Sequence, residues 1–423
     1  MPPLGMHCVY RCRGGYQPPA AGAAVYTLYY IGESMKKILS LALASACLFL
    51  SGCGSGGSIY SNYRQTEHLQ LVQALGADIW EEGDGVTLSV SCAKPAKNAS
   101  GGIITRSGES ILRAMSSLQK YSADQQLYYS HAEYVILGED YARSDATALF
   151  DFIARDNQLR LGLYLFVAKG GEAKELVTGP GEESYEISKT LSSIRRDTEA
   201  QGASHVFTAR ETLRDLSENG AALVCALSPR DTKDNVYLLE PGITAVAEGY
   251  GILKDGLLVG FVEPEISQAA NLIMGNLGSS GLSLPDGRGG RLSLEYEGGS
   301  AKIKPKWAPD GSLEAIDIEA KLKANLAEPD TEIENVTDKK LLSTLEKGLG
   351  EDMENKLREL LELCREHNAD FLGLKCHLRS SDGEKAAMLG DDWLEKARFS
   401  VSCKAEISYT RELGDRMSAK GGQ

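Results

Sequence analysis

The sequence lacks the short motifs that mark the common enzyme classes. It has no Gly-x-Ser-x-Gly elbow, no His-Glu-x-x-His pair, no phosphate-binding loop and no dinucleotide fingerprint. Histidine is scarce, with six in 423 residues, and His68, His131 and His205 have no plausible nucleophile beside them. Paired acids such as Glu81-Glu82 and Asp391-Asp392 are typical of turns and solvated faces. We therefore predict a non-catalytic protein that needs no cofactor.

An apolar run long enough to cross a bilayer is also missing. The run from Ile38 to Leu50 has 13 residues, whereas a spanning helix takes ~20. Met35-Lys36-Lys37 precedes this run, and Ser51-Gly52 follows it and leads into Cys53. A basic start, a short apolar stretch and small residues before a cysteine indicate a bacterial lipoprotein signal. We therefore predict cleavage before Cys53, acylation of its sulfur and attachment of the mature chain to a membrane by lipid.

Clusters of Lys and Arg are missing as well. The chain has a formal net charge of −14, and residues 1–52 carry +3, which leaves −17 for the chain from Cys53 onward. Nucleic acids and anionic lipid surfaces are bound by clustered cations. The charge therefore argues against a nucleic-acid partner and against a polybasic membrane surface.

The cysteines after the signal leave their redox state open. Cys92, Cys225 and Cys403 lie in apolar runs and are typical of small buried side chains. Disulfides can form outside the membrane. Five cysteines follow Cys53, however, and an odd number cannot all be paired.

One group of residues offers metal ligands, namely Cys364, His367, Cys376 and His377. The spacing matches no established finger or ribbon pattern. Cys364 and His367 also lie on the apolar stripe of a helix predicted over residues 338–367. We therefore predict no metal site, and we expect His367 to be a histidine at the edge of the core.

The pattern of turns and periodic segments divides the chain. We predict a mis-assigned start at 1–34, a signal peptide at 35–52, a lipidated tether at 53–66, an N-terminal α/β region at 67–235, a strand-rich middle region at 236–331, a C-terminal α/β domain at 332–416 and a polar tail at 417–423.

In the N-terminal region, strands alternate with helices. Residues 71–79 and 86–92 predict a hairpin. Ser107 is expected to cap a helix that buries Ile111, Leu112, Met115 and Leu118. Residues 127–137 predict a buried strand broken by His131, residues 161–167 predict another, and Asp145 is expected to cap the helix between them. Residues 178–235 are polar and are interpreted as a boundary region with one amphipathic helix.

In the rest of the chain, strands dominate up to the long helix. Asp255-Gly256 predicts a tight hairpin turn, and Pro264 is expected to begin a helix that ends at Met274. Residues 275–290 are interpreted as a glycine-rich loop. Strands are then predicted at 292–296, 303–307, 316–326, 371–376 and 399–407.

Several segments resemble the C subunits of bacterial spore germinant receptors, the Ger(x)C or GerAC-like lipoproteins. Besides the Cys53 lipobox, the resemblance rests on Leu75-Gly76-Ala77-Asp78, Gly108-Glu109-Ser110, Leu127 to His131, Val135 to Glu139, Phe152 to Asp156, Leu161 to Gly170, Lys254 to Phe261, Ala369 to Gly373, Trp393, Phe399 and Ile407 to Thr410. The chain departs from the family pattern at Ala77 to Trp80 and in the additional Cys364 and Cys376.

The resemblance implies a fold and a function. The fold would be mixed α/β (α+β) and multi-domain, with each domain a mixed β-sheet flanked by helices in an elongated array. The protein would be a non-enzymatic subunit on the outer face of the inner spore membrane. Its partners would be integral membrane A-type and B-type subunits that sense small nutrients. The family has no catalytic residues to transfer to this chain.

A second function class stays open. A solute-binding lipoprotein of a transporter shares the lipobox and needs two similar α/β lobes around a ligand cleft. The hairpin-rich residues 244–326 fit such a lobe poorly. A hydrolase of the cell envelope would need a nucleophile or a metal site, and the sequence shows neither.

Overall fold

The computed structural model describes residues 69–93, 102–122, 126–144, 146–179, 187–201, 204–231, 243–285, 291–329 and 339–408. The strands in these ranges are β1 (Leu69–Ile79), β2 (Val86–Cys92), β3 (Ile103–Gly108), β4 (Gln126–Tyr128), β5 (Tyr134–Leu137), β6 (Tyr164–Ala168), β7 (Ala221–Asp231), β8 (Ile243–Lys254), β9 (Leu257–Val262), β10 (Gly281–Pro285), β11 (Arg291–Trp307), β12 (Leu313–Pro329) and β13 (Phe399–Ser408). The helices are α1 (Ile111–Tyr121), α2 (Glu139–Ser144), α3 (Ala146–Arg155), α4 (Ala173–Thr178), α5 (Ile187–Gln201), α6 (Ala209–Asn219), α7 (Pro264–Met274), α8 (Lys339–Glu366), α9 (Leu374–Ser381), α10 (Gly383–Ala387) and α11 (Trp393–Lys396), with a 3-10 turn at Tyr129–His131.

The larger of the two sheets is mixed. Its strand order is β3-β2-β1-β5-β6-β7-β8-β9, and β4 pairs with the first residues of β1. The central strands β1, β5, β6 and β7 are parallel, and antiparallel hairpins extend the sheet on both sides. Strands β5 and β6 and the first part of β7 are continuous apolar runs, as expected where helices cover both faces of a sheet.

Each face of this sheet has its own core. Helices α1, α2 and α3 pack on one face, where Leu75, Val135 and Leu165 are buried. Helices α4 and α5 pack on the other, where Ile136 and Phe166 are buried. The sheet is therefore the middle layer of three, as expected for an α/β arrangement.

The smaller sheet has the order β10-β11-β12-β13, with β13 parallel to β12. One face of it forms a core with α7, α8 and α9, and this core also includes Tyr250 and Ile252 of β8. Side chains on the other face of β12, such as Glu319, Lys321 and Lys323, are exposed. This alternation is the one that the sequence of the strand predicts.

Helix α8 covers the free edge of β13. Glu354 Oε1 accepts a hydrogen bond from the N–H of Cys403 (3.0 Å), and Glu346 Oε1 accepts one from the N–H of Ile407 (3.1 Å). Gly350 lies between these two acids, where a Cβ would be 2.9 Å from the Cys403 carbonyl oxygen. Residues four apart share a helix face. The Glu-Gly-Glu series therefore closes an edge that another strand would otherwise be free to join.

Some predicted elements are confirmed. The β1–β2 and β8–β9 hairpins form, and Asp255 and Gly256 both have positive φ, as a type I′ turn requires. Helix α7 has the predicted bounds. The stripe of α8 is buried from Leu345 to Cys364, which confirms the amphipathic helix.

Other predictions for the N-terminal region are wrong. Ser107 belongs to β3, and Ser110 caps α1 by accepting a hydrogen bond from the Arg113 N–H. Leu112 is 64% exposed rather than buried. The break predicted at His131 within residues 127–137, in contrast, is confirmed, because the 3-10 turn at Tyr129–His131 separates β4 from β5. Asp145 lies outside the described residues.

The polar segment 178–235 is more ordered than predicted. It contains α5, α6 and the central strand β7. Thr208 and Glu211 form a capping box that begins α6, in which each side chain accepts a hydrogen bond from the backbone N–H of the other residue. The polar composition hid α6 because only Ala209 and Thr212 of this helix are buried.

In the second half, the predicted loop 275–290 contains β10, and the two strands predicted at 292–307 are one strand, β11. The strand predicted at 371–376 is instead a turn followed by α9, because Asp370 caps that helix.

The fold class is confirmed as mixed α/β with two mixed sheets flanked by helices. The domain limits near 235 and 331 stay predictions, as does the elongated arrangement. Strands β7 and β8 lie on opposite sides of the first limit and pair with each other, from Ala221 opposite Lys254 to Asp231 opposite Ile243.

Candidate functional site at the carboxyl end of the parallel strands

The predicted lipidation site, Cys53, lies outside the described residues, as do the signal sequence, the tether and His68. Among the helices that the structure describes, none is both long and apolar enough to cross a bilayer.

The four candidate metal ligands are not brought together in the part of the chain that the structure describes. Cys364 is buried, and Cys376 directs its thiol at Asn219 Oδ1 (3.3 Å). The His367 ring packs against Gly260, where a Cβ would be 2.5 Å from Nε2. Within the described ranges, no three His, Cys, Asp or Glu side chains come together as metal ligands.

The five described cysteines are free thiols. Burial raises the pKa of Cys92, Cys225 and Cys403 to about 12, and it also raises the pKa of Cys364 and Cys376. The nucleophilic form of cysteine is the thiolate. These thiols are therefore protonated at neutral pH and unsuited to nucleophilic chemistry.

Among the described residues, His131, His205 and the two acid pairs have other partners or lie in exposed turns. The His131 ring is tilted by 48° against the Tyr128 ring with centroids 5.6 Å apart, and the His205 ring makes a T-shaped contact with Phe207 with centroids 4.8 Å apart. Glu81-Glu82 lies in the exposed β1–β2 turn, as predicted. Asp392 forms an ion pair with Lys396 on an exposed surface.

Loops converge where the parallel strands β1, β5 and β6 end. Asp78, near the end of β1, is 5% exposed. Its carboxylate accepts hydrogen bonds from the N–H groups of Ala173 (2.7 Å) and Lys174 (2.8 Å), so it caps α4 from a distant strand. Gly138 follows β5 here, and a Cβ at this position would lie 2.0 Å from Asp78 Oδ1. Burial raises the pKa of Asp78 to about 6, although the two N–H donors oppose this.

Glu139 connects the next two loops. Its Oε2 accepts a hydrogen bond from the Gly170 N–H (2.6 Å), and its Oε1 accepts from Arg143 Nη2 (2.7 Å). Burial alone would raise the pKa of Glu139, but these hydrogen bonds outweigh burial and lower the pKa below its usual range. Asp78 and Glu139 therefore hold three strand ends together, and their acceptors are used within the protein.

Two concave surfaces lie beside these carboxylates. The first, the acidic cleft, has a volume of about 340 Å³ and is lined by Asp78, Ile79, Glu81, Gly138, Glu139, Asp140, Tyr141, Gly170, Gly171 and Glu172. The second, the α1–α3 groove, has a volume of about 560 Å³ and is lined by Gly85, Val86, Glu109, Ser110, Ile111, Leu112, Tyr141, Ala148, Asp151, Phe152, Arg155 and Asp156. Tyr141 lines both, so the two surfaces are neighbours. In open α/β sheets, the carboxyl ends of the strands are the usual place for binding.

Sequence reasoning did not assign a role to this edge of the sheet. Several segments that carry the resemblance line these two surfaces, however, through Glu109, Ser110, Gly138, Glu139, Phe152, Arg155, Asp156 and Gly170. One signal was available, because acids or glycines directly follow apolar strands at Asp78, Gly138 and Gly170.

Comparisons with known proteins give one consistent result. The family model described as "Spore germination protein N-terminal domain" matches residues 62–229, and the model described as "Spore germination B3/GerAC like, C-terminal" matches residues 248–411. A comparison with curated proteins found no match. Among solved structures, the crystal structure of the GerBC protein aligns with a TM-score of 0.52 and 20% identity, over 79% of this chain and 96% of that chain. At this identity the likeness shows the fold alone.

Proposed function

The chain belongs to the GerAC-like family of spore germination proteins, and from this premise we propose that it is the lipid-anchored, non-catalytic subunit of a nutrient germinant receptor. Membership makes it a germinant receptor C subunit and a member of a membrane receptor complex of the spore. The observation that carries the proposal is the order of three features: a lipobox at Cys53, then the N-terminal and C-terminal family regions directly after it.

Lipid on Cys53 is the proposed anchor. Acyl chains contribute ~0.8 kcal/mol per buried CH₂, and stable anchoring takes more than one chain. The net charge of −17 after processing provides no electrostatic attraction to anionic lipids. The lipid would therefore supply most of the intrinsic membrane affinity and hold the folded part outside the inner spore membrane.

The proposed partners are the integral membrane A-type and B-type subunits, which would bind the nutrient. This chain would act through its surfaces. The buried, protonated thiols and the engaged carboxylates Asp78 and Glu139 support a non-catalytic role, because each already serves packing or helix capping.

Deletion of the gene in the spore-forming host tests this proposal. Spores without the protein should germinate more slowly with nutrients and normally with a trigger that bypasses receptors. Restoring the full chain should restore the nutrient response. A nutrient response that is unchanged by the deletion, in spores with no second receptor for that nutrient, contradicts the proposal.

A further inference from the structure

The α1–α3 groove leaves apolar surface uncovered. Leu112 is 64% exposed, although it lies in the first turn of a helix whose other long aliphatic side chains, Ile111, Met115 and Leu118, are buried. Phe152, across the groove on α3, is half-buried, and Ile111 packs beneath. Exposed apolar side chains grouped in a concave surface are typical of an interaction site. Covering Leu112 would remove apolar area from water, which favours binding.

The rim of this groove is acidic. Glu109, Asp151 and Asp156 line it. Arg155 also lines the groove, and it already forms an ion pair with Asp151, with 2.7 Å between Nε and Oδ1. The acidic cleft continues the same negative surface beyond Tyr141. An apolar floor with an acidic rim is complementary to an apolar segment that carries Lys and Arg.

Charge and shape separate the possible occupants. A second copy of the chain would bring two acidic rims together in a protein of net charge −17 from Cys53 onward, which is unfavourable. A small nutrient requires polar groups that converge on it, whereas the charged residues Glu109, Asp151 and Arg155 that line this groove are exposed to solvent. A groove between two helices suits an amphipathic helix, whose apolar side chains enter at i, i+3 and i+4.

We propose that the α1–α3 groove binds a basic amphipathic helix from a membrane subunit of the same receptor. The apolar face of that helix contacts Leu112 and Phe152, and its Lys and Arg side chains face the acidic rim. This inference rests on the proposed function and adds a docking site to it.

Site-specific cross-linking in spores tests the contact. A photoreactive amino acid replaces Leu112 in the full-length chain, and the matched control replaces Met388, which follows α10 and is 81% exposed. We expect a cross-link to a membrane subunit from position 112 and not from position 388. The cross-linked peptide should carry Lys or Arg among apolar residues. Equal cross-linking from both positions, or a product that contains two copies of this chain, would overturn the proposal.

A charge substitution gives a second measurement. Leu112→Glu adds an acid to the groove, and Met388→Glu adds the same charge elsewhere without touching it. Both sites are exposed, so both variants should fold. We expect Leu112→Glu to lower the membrane subunit recovered with the protein from solubilised spore membranes about tenfold, which corresponds to ~1.4 kcal/mol. Met388→Glu should recover wild-type amounts. Recovery with Leu112→Glu that equals the control would also overturn the proposal.

The outcomes of this inference and of the proposed function are distinguishable. If deletion of the gene leaves nutrient germination unchanged, the proposed function fails. If deletion slows nutrient germination but position 112 neither cross-links nor affects recovery, the receptor role stands and the groove is not the docking site.

Discussion

Two buried carboxylates each contribute stability that is lost as pH rises from about 4 to 6. Asp78 caps α4, and Asp370 caps α9 through the N–H groups of Leu374 and Lys375, both at 2.7 Å. Burial raises the pKa of each from 3.8 to about 6, against the effect of these hydrogen bonds. Each carboxyl therefore binds its proton more tightly in the folded chain than in the unfolded chain.

The sign and the magnitude follow from linkage. Between pH 3.8 and 6 the folded chain holds more protons, so the free energy of unfolding falls as pH rises through this window. A pKa of about 6 in place of 3.8 corresponds to about 3 kcal/mol for each carboxyl. The stabilisation is fully present below pH 3.8 and lost above pH 6. Groups with lowered pKa, such as Glu139, act in the opposite direction, so a variant must isolate the effect.

The assay is urea unfolding of residues 54–423 at pH values from 4 to 7.5. Asp78→Asn removes the titrating group, and Asp391→Asn removes an exposed acid as the matched control. Between pH 7 and pH 4, the free energy of unfolding of the wild type should rise by up to about 3 kcal/mol relative to that of Asp78→Asn. The difference in free energy of unfolding between the wild type and Asp391→Asn should change by less than about 0.5 kcal/mol over the same pH range. A difference from Asp78→Asn that is flat, or that grows with rising pH, refutes the reasoning.

Three further predictions concern the fold and the absence of a nutrient site. Gly249→Ala should lower the free energy of unfolding by at least about 2 kcal/mol more than Gly275→Ala does. Both glycines have φ near +75°, but only at Gly249 would a Cβ meet a backbone oxygen, at 2.0 Å. Equal losses of urea midpoint for the two variants would contradict this. Glu354→Ala should lower the free energy of unfolding by about 1–3 kcal/mol because it leaves the Cys403 N–H of β13 without its acceptor. Glu351→Ala removes an exposed ion pair and should lower it by under about 1 kcal/mol. Similar urea midpoints for the two variants would count against protection of the β13 edge by α8. Calorimetry of the purified chain with amino acids and sugars should show no binding tighter than ~1 mM, and a micromolar titration would favour a solute-binding lipoprotein instead.

Local signals in the sequence account for much of the fold. Strict alternation predicts β12 and β13, the period of 3.6 predicts α8, and Asp255-Gly256 predicts the β8–β9 turn. These elements expose one face, so their polar and apolar residues alternate in a readable way. The predictions failed where several signals compete within a few residues. Residues 371–376 are short and apolar, and only the cap at Asp370 decides in favour of a helix.

The candidate site was not predictable from local pattern, because distant segments build it. Asp78 caps a helix that begins 95 residues later. Leu112 was expected in the core because helical periodicity does not show which apolar residue of a stripe is left exposed. In the structure it lines the α1–α3 groove and is 64% exposed. The resemblance marked the segments that meet at this edge, but the sheet order brings them together.

The central claim is that lipid on Cys53 holds the protein at the membrane where its receptor works. The direct measurement replaces residues 35–52 with an ordinary cleavable signal and Cys53 with Ser, so that the exported chain carries no lipid. Spore membranes are then fractionated and nutrient germination is timed. The account predicts that the chain leaves the membrane fraction, that nutrient germination slows, and that a trigger bypassing receptors still works. A lipid-free chain that stays with the membrane and supports normal nutrient germination would contradict the account.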